Sequence, residues 1–232
     1  MIPIRDDAPR ATTPYVNYFL VALNVAVFLF EISLAPTNRT ALMFQFGFVP
    51  ENVSSFLRGG PGYVVPAFLP VFTSMFMHAS WLHIIFNMWA LWIFGDNVED
   101  TLGHFPYLLF YLLSGIAASA LHYVFNATST VPSVGASGAI AGVMGAYFLL
   151  FPSARVLTLI PFFFIYFTWL PAWLVLGYWF VVQFLSGAAT SIAAQQATGV
   201  AFWAHVGGFV AGLAMIKIFP RRTPRYRFDT WQ

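Results

Sequence analysis

The chain has 232 residues, of which 59% are hydrophobic and 8% are charged. Because a soluble domain carries roughly a quarter charged residues, this composition excludes an ordinary soluble protein and indicates an integral membrane protein. The net charge is only +2, and the lysines and arginines lie mostly near the chain ends rather than in one patch. Both observations argue against nucleic-acid binding. Cysteine is absent, which excludes disulfides, thiolate metal sites and a cysteine nucleophile, and we predict no cofactor or metal.

Six apolar segments follow one another along the chain. A helix needs about 20 predominantly apolar residues to cross the hydrocarbon core, and shorter ones persist where neighbouring helices shield them. The sequence therefore predicts an all-α membrane protein, a bundle of six transmembrane helices. The predicted helices are 15–34, 81–95, 105–125, 136–151, 169–186 and 200–219.

The remaining segments connect or flank these helices. We interpret 35–80, which contains Gly59-Gly60-Pro61-Gly62, as a structured loop that is partly embedded in the membrane interface. The apolar stretch 156–168 is too short for a further span and lies beside two prolines, so we expect an interfacial or re-entrant connection. Residues 1–14 and 220–232 are predicted tails of a single membrane domain, 15–219.

The distribution of positive charge predicts the orientation. With six spans both termini lie on one side, and the positive-inside rule makes that side cytoplasmic, with the 35–80 loop facing outward. The N-terminus lacks the basic region and cleavage site of a signal peptide, so the first apolar segment is expected to be retained. The compact chain suggests a bacterial plasma membrane. The cations on the side of the termini are Arg5, Arg10, Arg155, Lys217, Arg221, Arg222, Arg225 and Arg227, against Arg39 and Arg58 on the other.

Polar groups inside a predicted span are costly, so each is a candidate functional residue. His83 and Asn87 in the second span are four residues apart, which places an imidazole and a carboxamide on one helical face. The same pair could instead hydrogen-bond to a neighbouring helix as packing contacts. From these two residues alone, both interpretations remain open.

Ser137 lies in Gly135-Ala136-Ser137-Gly138, at the start of the fourth predicted span. Free backbone N–H groups and the positive end of the helix dipole would stabilise an alkoxide or a tetrahedral oxyanion there. The flanking glycines would let a substrate backbone approach closely. However, serine is also a common helix N-cap and Gly138-xxx-Gly142 a common helix-packing spacing, so this motif alone does not decide between the roles.

His205 lies in the sixth predicted span, above a row of glycines. His205, Gly208 and Gly212 follow a spacing of three and then four residues, so one helical face carries an imidazole and a groove where another helix can pack closely. A histidine placed there could reach Ser137 and supply the base that an unactivated serine requires. A structural histidine bonded to a carbonyl is the alternative.

Together these residues supply a nucleophile, a base and polar groups for an oxyanion. Three motifs stand in the order and spacing of the rhomboid family of intramembrane serine proteases, which the chain resembles over about residues 70–215. They are His78-Ala-Ser-Trp-Leu-His83-Ile-Ile-Phe-Asn87, Gly135-Ala-Ser137-Gly138 and Ala204-His205-Val-Gly-Gly208. The six-span architecture with an outward loop between the first two helices is also similar to that of this family.

The resemblance implies roles for individual residues. Ser137 would be the nucleophile and His205 the general base and later the acid. Asn87, His83 and the Ser137 backbone N–H would form the oxyanion hole, with His78 and the two glycines Gly135 and Gly138 in support. Since the motifs hold no carboxylate, the site is interpreted as a dyad, as suits a setting where a buried charge is expensive.

Two positions differ from the pattern of many family members. Leu69-Pro70 stands where those members carry Trp-Arg, nine and eight residues before His78, so a different anchoring of the loop is expected. Ala141 stands where an aromatic ring would stack on the catalytic histidine. We therefore expect Trp203 or a neighbouring aromatic residue to orient His205.

The resemblance implies a serine endopeptidase that cleaves membrane-spanning segments of other membrane proteins within the lipid bilayer. Its site would open to the outward face, because hydrolysis needs water. One alternative is a rhomboid-like protein that binds membrane clients without cleaving them, although both Ser137 and His205 are retained. A small transporter is another alternative, but we find no inverted repeats. The substrate and the oligomeric state do not follow from the sequence.

Overall fold

The computed structural model describes residues 1–60, 64–161, 165–192 and 201–222. The protein is mostly helical. Each of the six predicted apolar segments corresponds to a helix. These helices, in chain order, are α1 (Tyr15–Ser33), α5 (Trp81–Leu102), α6 (His104–Asn126), α7 (Ser137–Leu150), α8 (Ala172–Ile192) and α9 (Phe202–Met215).

The helices differ in how well their length suits a membrane span. By length and apolarity, α1, α6 and α8 qualify among the described residues. A fourth span is possible if Val64–Phe76 and α5, which meet at a bend of 76°, are taken together. In contrast, α7 and α9 have 14 residues each, about 21 Å of helix. The six-span count therefore stays a prediction.

The long segment between α1 and α5 is structured, as expected for a loop of this composition. It contains α2 (Pro36–Phe46), α3 (Pro50–Leu57), α4 (Val64–Thr73) and a 3₁₀ turn, Ser74–Phe76. Prolines at the first positions of α2 and α3 favour helix starts there, because proline has no N–H to leave unpaired. Part of the predicted glycine-rich stretch, 61–63, lies outside the described residues.

The helices pack around α7, in which every residue from Gly138 to Tyr147 is buried. Its partner α9 lies backbone to backbone against it. A Cβ atom on Gly208 would lie 1.9 Å from the Gly138 carbonyl oxygen, and one on Gly212 would lie 2.0 Å from the Gly142 carbonyl oxygen. No side chain fits at such distances, so the glycine groove predicted for the sixth segment is confirmed. This close packing brings the start of α9 beside the start of α7.

A three-stranded antiparallel sheet corrects the all-α prediction. The strands are β1 (Ile2–Asp6), β2 (Arg155–Pro161) and β3 (Ile165–Pro171), in the order β1-β2-β3. Residues 156–168, interpreted above as a re-entrant connection, thus form most of a β-hairpin, apart from 162–164, which lie outside the described residues. Alternate residues Val156 and Thr158 are buried, and this period of two is typical of a strand.

The first fourteen residues, predicted above as a tail, pack against β2 and α5. After β1 pairs with β2, the chain follows α5, where the Asn97 side chain donates to the Ala8 carbonyl at 3.3 Å. The Asp100 carboxylate then accepts from the backbone N–H groups of Ala11 at 3.0 Å and Thr12 at 2.8 Å. At the other end, most of the predicted basic tail, 223–232, lies outside the described residues.

Candidate active site

Ser137 is the first residue of α7, so its backbone lies among the free N–H groups of a helix start. Gly135 two residues earlier has φ of 137°, which a side chain would strain. A Cβ atom there would also lie 2.7 Å from the His83 ring. Glycine at this position therefore lets the turn before Ser137 lie directly against the imidazole of α5.

The structure brings Ser137 and His205 together, although 68 residues separate them. His205 Nε2 lies 2.7 Å from Ser137 Oγ, which is hydrogen-bonding distance. The contact follows from the α7–α9 packing, since the glycines of both helices remove the side chains that would separate them. Two polar side chains that sequence reasoning could only propose as partners thus form one hydrogen-bonded pair.

Gln183 is a further polar residue of this site that sequence reasoning missed. Its side-chain oxygen on α8 lies 2.7 Å from His205 Nδ1. With an amide oxygen as acceptor, Nδ1 carries the imidazole proton and Nε2 presents a lone pair to the Ser137 hydroxyl. A glutamine among apolar residues of a predicted span was the available signal, because such groups are rarely without a partner.

Of the two alternatives predicted for the aromatic neighbour of His205, Trp203 or another aromatic residue, the structure has the second, Trp179. The Trp179 and His205 rings have centroids 5.7 Å apart and are tilted by 36°. Trp203 instead stacks on Phe125, with centroids 3.7 Å apart. Its indole N–H donates to Ser191 at 3.0 Å, so its contacts lie away from the imidazole.

The predicted oxyanion-hole residues line the same cavity as Ser137. His83 and Asn87 are one turn apart on α5 and face the start of α7. The buried Asn87 side-chain nitrogen has no hydrogen-bond partner among the described residues. A buried donor without a partner costs free energy, so this N–H group is available to an oxygen that enters the cavity.

His78 lies behind His83 rather than beside Ser137. Its ring is fully buried, and its centroid is 5.1 Å from that of His83. The His78 backbone N–H donates to the buried carboxylate of Glu31 at 3.1 Å, and Arg39 donates to the His78 carbonyl at 3.1 Å. Its contacts are therefore those of a residue that positions the start of α5.

These contacts also show how the 35–80 loop is anchored, although Leu69-Pro70 stands where many family members carry Trp-Arg. Arg39 of α2 donates to the carbonyls of His78 and Ala79, at 3.1 Å and 3.0 Å. The Thr73 hydroxyl at the end of α4 donates to the Phe46 carbonyl at 2.7 Å. The loop is thus tied to the start of α5 by an arginine from a different helix.

A cavity of about 830 Å³ connects these groups. It lies between α5 and α8, and Ile2 and Pro3 of β1 also line it. Within the described residues, no three His, Asp or Glu side chains converge as metal ligands would. The polar residues on its wall include His83, Asn87, Ser137, Gln183 and His205.

The fold and the site define a helical membrane protein with a hydrogen-bonded serine–histidine pair at the start of a buried helix. The model of the rhomboid domain matches residues 66–222, well over half of the chain. The chain belongs to the rhomboid family.

Several relatives are similar over part of the chain. The rhomboid protease GluP of Bacillus subtilis is 37% identical over 134 residues, covering 57% of this chain and 24% of that protein. The presenilin-associated rhomboid-like protein A, mitochondrial, of Danio rerio is 30% identical over 176 residues, covering 69% and 41%. The rhomboid protein 1, mitochondrial, of Saccharomyces cerevisiae is 33% identical over 146 residues, covering 60% and 38%. The match thus spans between a quarter and two fifths of these relatives.

Proposed function

We propose that this protein is an intramembrane serine endopeptidase that cleaves membrane-spanning segments of other membrane proteins. The observation that carries the proposal is the 2.7 Å contact between His205 Nε2 and Ser137 Oγ inside an apolar helical bundle. A serine hydroxyl is a weak nucleophile until an adjacent base accepts its proton. His205 is placed to do so, because its other nitrogen is held by Gln183.

In the proposed reaction, Ser137 Oγ attacks the scissile carbonyl while His205 Nε2 takes the hydroxyl proton. The resulting oxyanion is stabilised by the Ser137 backbone N–H, by the unpartnered Asn87 amide and by His83. The tetrahedral intermediate collapses when His205 returns the proton to the leaving amine, which leaves an acyl ester on Ser137. Water, with His205 again as base, then hydrolyses this ester.

A substrate helix has to unwind locally before this reaction. A carbonyl within a helix is hydrogen-bonded and shielded, so a peptide must extend to bring it against Ser137. The cavity between α5 and α8 is large enough for several residues of extended peptide, at about 830 Å³. We propose that the substrate enters between these helices, which line the cavity from opposite sides.

The proposed orientation in the membrane follows from the distribution of positively charged residues. With both termini on the cytoplasmic side, as the positive-inside rule favours, the start of α7 opens toward the outer face, where water is available for hydrolysis. A plasma membrane is the proposed location. A client-binding protein without activity remains the second candidate, because the relatives include proteins that carry only the name rhomboid-like.

The test is reaction with a fluorophosphonate probe, which phosphonylates an activated serine, followed by mass spectrometric mapping of the modified residue. We expect modification at Ser137 and cleavage of a reconstituted single-span substrate. Ser137→Ala is expected to lose both while remaining folded, with a fall in melting temperature no larger than the loss of one hydrogen bond to His205 causes. Absence of labelling in the wild-type protein, or cleavage by Ser137→Ala, would favour the client-binding candidate or another nucleophile.

A further inference from the structure

Away from the hairpin end, where Tyr166 is 56% exposed, the two faces of the three-stranded sheet are buried to different degrees. Val156 and Thr158 point toward the helices and are fully buried. The alternate residues point away, and we call these the outer sheet face: Leu157, Leu159, Ile165, Phe167 and Trp169, which pair across β2 and β3 in the register Leu157–Trp169 and Leu159–Phe167. Ile165 is 69% exposed, Phe167 61% and Trp169 41%. A large apolar surface is thus left open by the described part of the chain.

β1 lies along α5, and the residues that follow β1 lead toward the charged end of that helix. The Trp89 indole N–H donates to the Pro3 carbonyl at 2.8 Å, and the Asn97 side chain donates to the Pro9 carbonyl at 3.2 Å. These two helical residues are separated by about 12 Å along the helix axis. Asp96, the first charged residue of α5, lies between them. β1 therefore contacts the apolar part of α5 at Trp89, and the segment after β1 runs along the helix to Asn97, beside its first charged residue.

The outer sheet face is also continuous with a helix that is long and apolar enough to span a membrane. β3 ends at Pro171 and α8 begins at the next residue, Ala172. Trp173 in the first turn of α8 is 51% exposed. The Arg5 guanidinium lies 5.4 Å from the centroid of the Trp169 ring. Tryptophan and arginine side by side are typical of the level of lipid headgroups, where an amphipathic ring and an anionic phosphate are both within reach.

We propose that the outer sheet face is a lipid-contact surface, seated at the boundary of headgroups and acyl chains on the side of the membrane where α8 begins. The edge of β3 supports this depth, since it is the last strand of the sheet. Its outward backbone groups have no strand partner among the described residues. Such groups would be costly in hydrocarbon, whereas water and headgroups satisfy them at the interface. The sheet then acts as an interfacial anchor that holds β1 and α8 at one level.

Because the chain contains no cysteine, a single nitroxide label can report the depth of each position. The labelled variants are Phe167→Cys and, on the same face, Ile165→Cys. Leu185→Cys, at an exposed residue of α8, is the reference for the hydrocarbon core, and Ala11→Cys, at an exposed residue beside the charged end of α5, is the reference for water. All variants are made on the Ser137→Ala background, so the result does not depend on the proposed protease activity.

Electron paramagnetic resonance power saturation in phosphatidylglycerol–phosphatidylcholine vesicles compares collision with oxygen and with a water-soluble nickel complex. We expect both labels on the outer sheet face to show several-fold higher oxygen accessibility and several-fold lower nickel accessibility than Ala11→Cys, at a depth between the two references. Nickel accessibility equal to that of Ala11→Cys at both positions would overturn the proposal. So would labels shielded from both reagents, as a covering protein surface would cause.

Discussion

At the scale of single residues, the site is a chain of hydrogen bonds from Ser137 through His205 to Gln183, with both contacts at 2.7 Å. A Ser-His-Asp triad places a carboxylate at the third position. A neutral amide accepts the same Nδ1 hydrogen bond without a buried negative charge, whose desolvation is expensive in an apolar bundle. We infer that Gln183 selects the tautomer and orientation of His205, and so acts as a positioning residue.

Replacing Gln183 tests this role. We expect Gln183→Leu to lower kcat on the order of tenfold to a hundredfold with little change in KM, since losing one partner of a buried hydrogen bond costs about 1–3 kcal/mol. Gln183→Glu keeps an acceptor oxygen and is expected to retain more activity than the leucine variant. Steady-state cleavage and fluorophosphonate labelling rates are the measurements. Equal kcat for the leucine variant and the wild-type protein would remove Gln183 from the mechanism.

At the scale of elements, the contact between α7 and α9 determines whether the side chains of Ser137 and His205 meet. Gly208 and Gly212 pack directly on the carbonyls of Gly138 and Gly142, and a Cβ on Gly145 would lie 2.3 Å from the Phe209 carbonyl. Each of these contacts is to backbone, which cannot rotate away as a side chain can. The distance between the helices, and with it the position of His205, therefore depends on glycine.

We predict that Gly208→Val lowers both stability and activity. The added side chain pushes α9 away from α7, and a displacement of about 1 Å at the reacting groups can cost on the order of a hundredfold in rate. Ala214→Val is the matched control, because it adds the same type of side chain at an exposed position of α9. Melting temperature in detergent and cleavage rate are measured together. A fully active Gly208→Val protein would show that this helix contact does not position the base.

The N-terminal strand contributes a partly buried carboxylate to the domain. The Tyr147 hydroxyl of α7 donates a hydrogen bond to the carboxylate of Asp6, the last residue of β1. Burial raises the pKa of Asp6 from 3.8 to about 6, an effect that this hydrogen bond only partly offsets. The folded protein therefore holds the Asp6 proton more tightly than the unfolded chain does, and ionisation of this group opposes folding.

The sign of this effect gives a pH prediction. The favourable contribution of the Asp6 proton is complete below about pH 4 and is lost as the pH rises through about 6, so stability attributable to Asp6 falls over that range. Asp6→Asn cannot ionise and is expected to lack this component. The measurement is the difference in melting temperature between the wild-type protein and Asp6→Asn at several values between pH 4 and 7. A difference that does not vary with pH would contradict the raised pKa.

At the scale of the whole molecule, α5 and α8 form the two walls of the cavity that contains Ser137. Phe86 and Ala90 line it from α5, and Val175 and Trp179 line it from α8. On the side of β1 the sheet joins these walls, because β1 contacts α5 while β2 and β3 contact α8. The proposed entry route for a substrate helix, between α5 and α8, is therefore open beside the start of α7. On the side of β1, the sheet closes the space between these two helices.

A substrate that unwinds easily is expected to be cleaved faster. Each glycine that replaces alanine in a helix interior costs about 1 kcal/mol of helix stability, which corresponds to about fivefold in the population of unwound peptide. We predict a rise of this order in kcat/KM when one glycine is placed beside the cleavage site of a reconstituted single-span substrate. The same glycine placed about two turns away serves as the control. Equal gains from both positions would indicate that local unwinding at the site is not rate-determining.

The positions of the main helices could be predicted from the sequence by itself, because the apolarity of a segment is a local property that needs no knowledge of its neighbours. The starts of α5 at Trp81 and α7 at Ser137 lie within one residue of the predicted bounds 81–95 and 136–151. The motifs around Ser137 and His205 were similarly visible, since a polar side chain in an apolar segment is conspicuous in the sequence.

Only the tertiary structure decided which distant residues meet. β1 pairs with β2 across about 150 residues, and a strand pairing of that separation leaves no periodic signal in the five residues of β1. Likewise, the relative rotation of α8 and α9 decides which side chain of α8 faces the imidazole of His205. That side chain is Gln183, which hydrogen-bonds to Nδ1. Such rotations follow from the packing of several helices at once, and the glycine contacts between α7 and α9 are part of that packing.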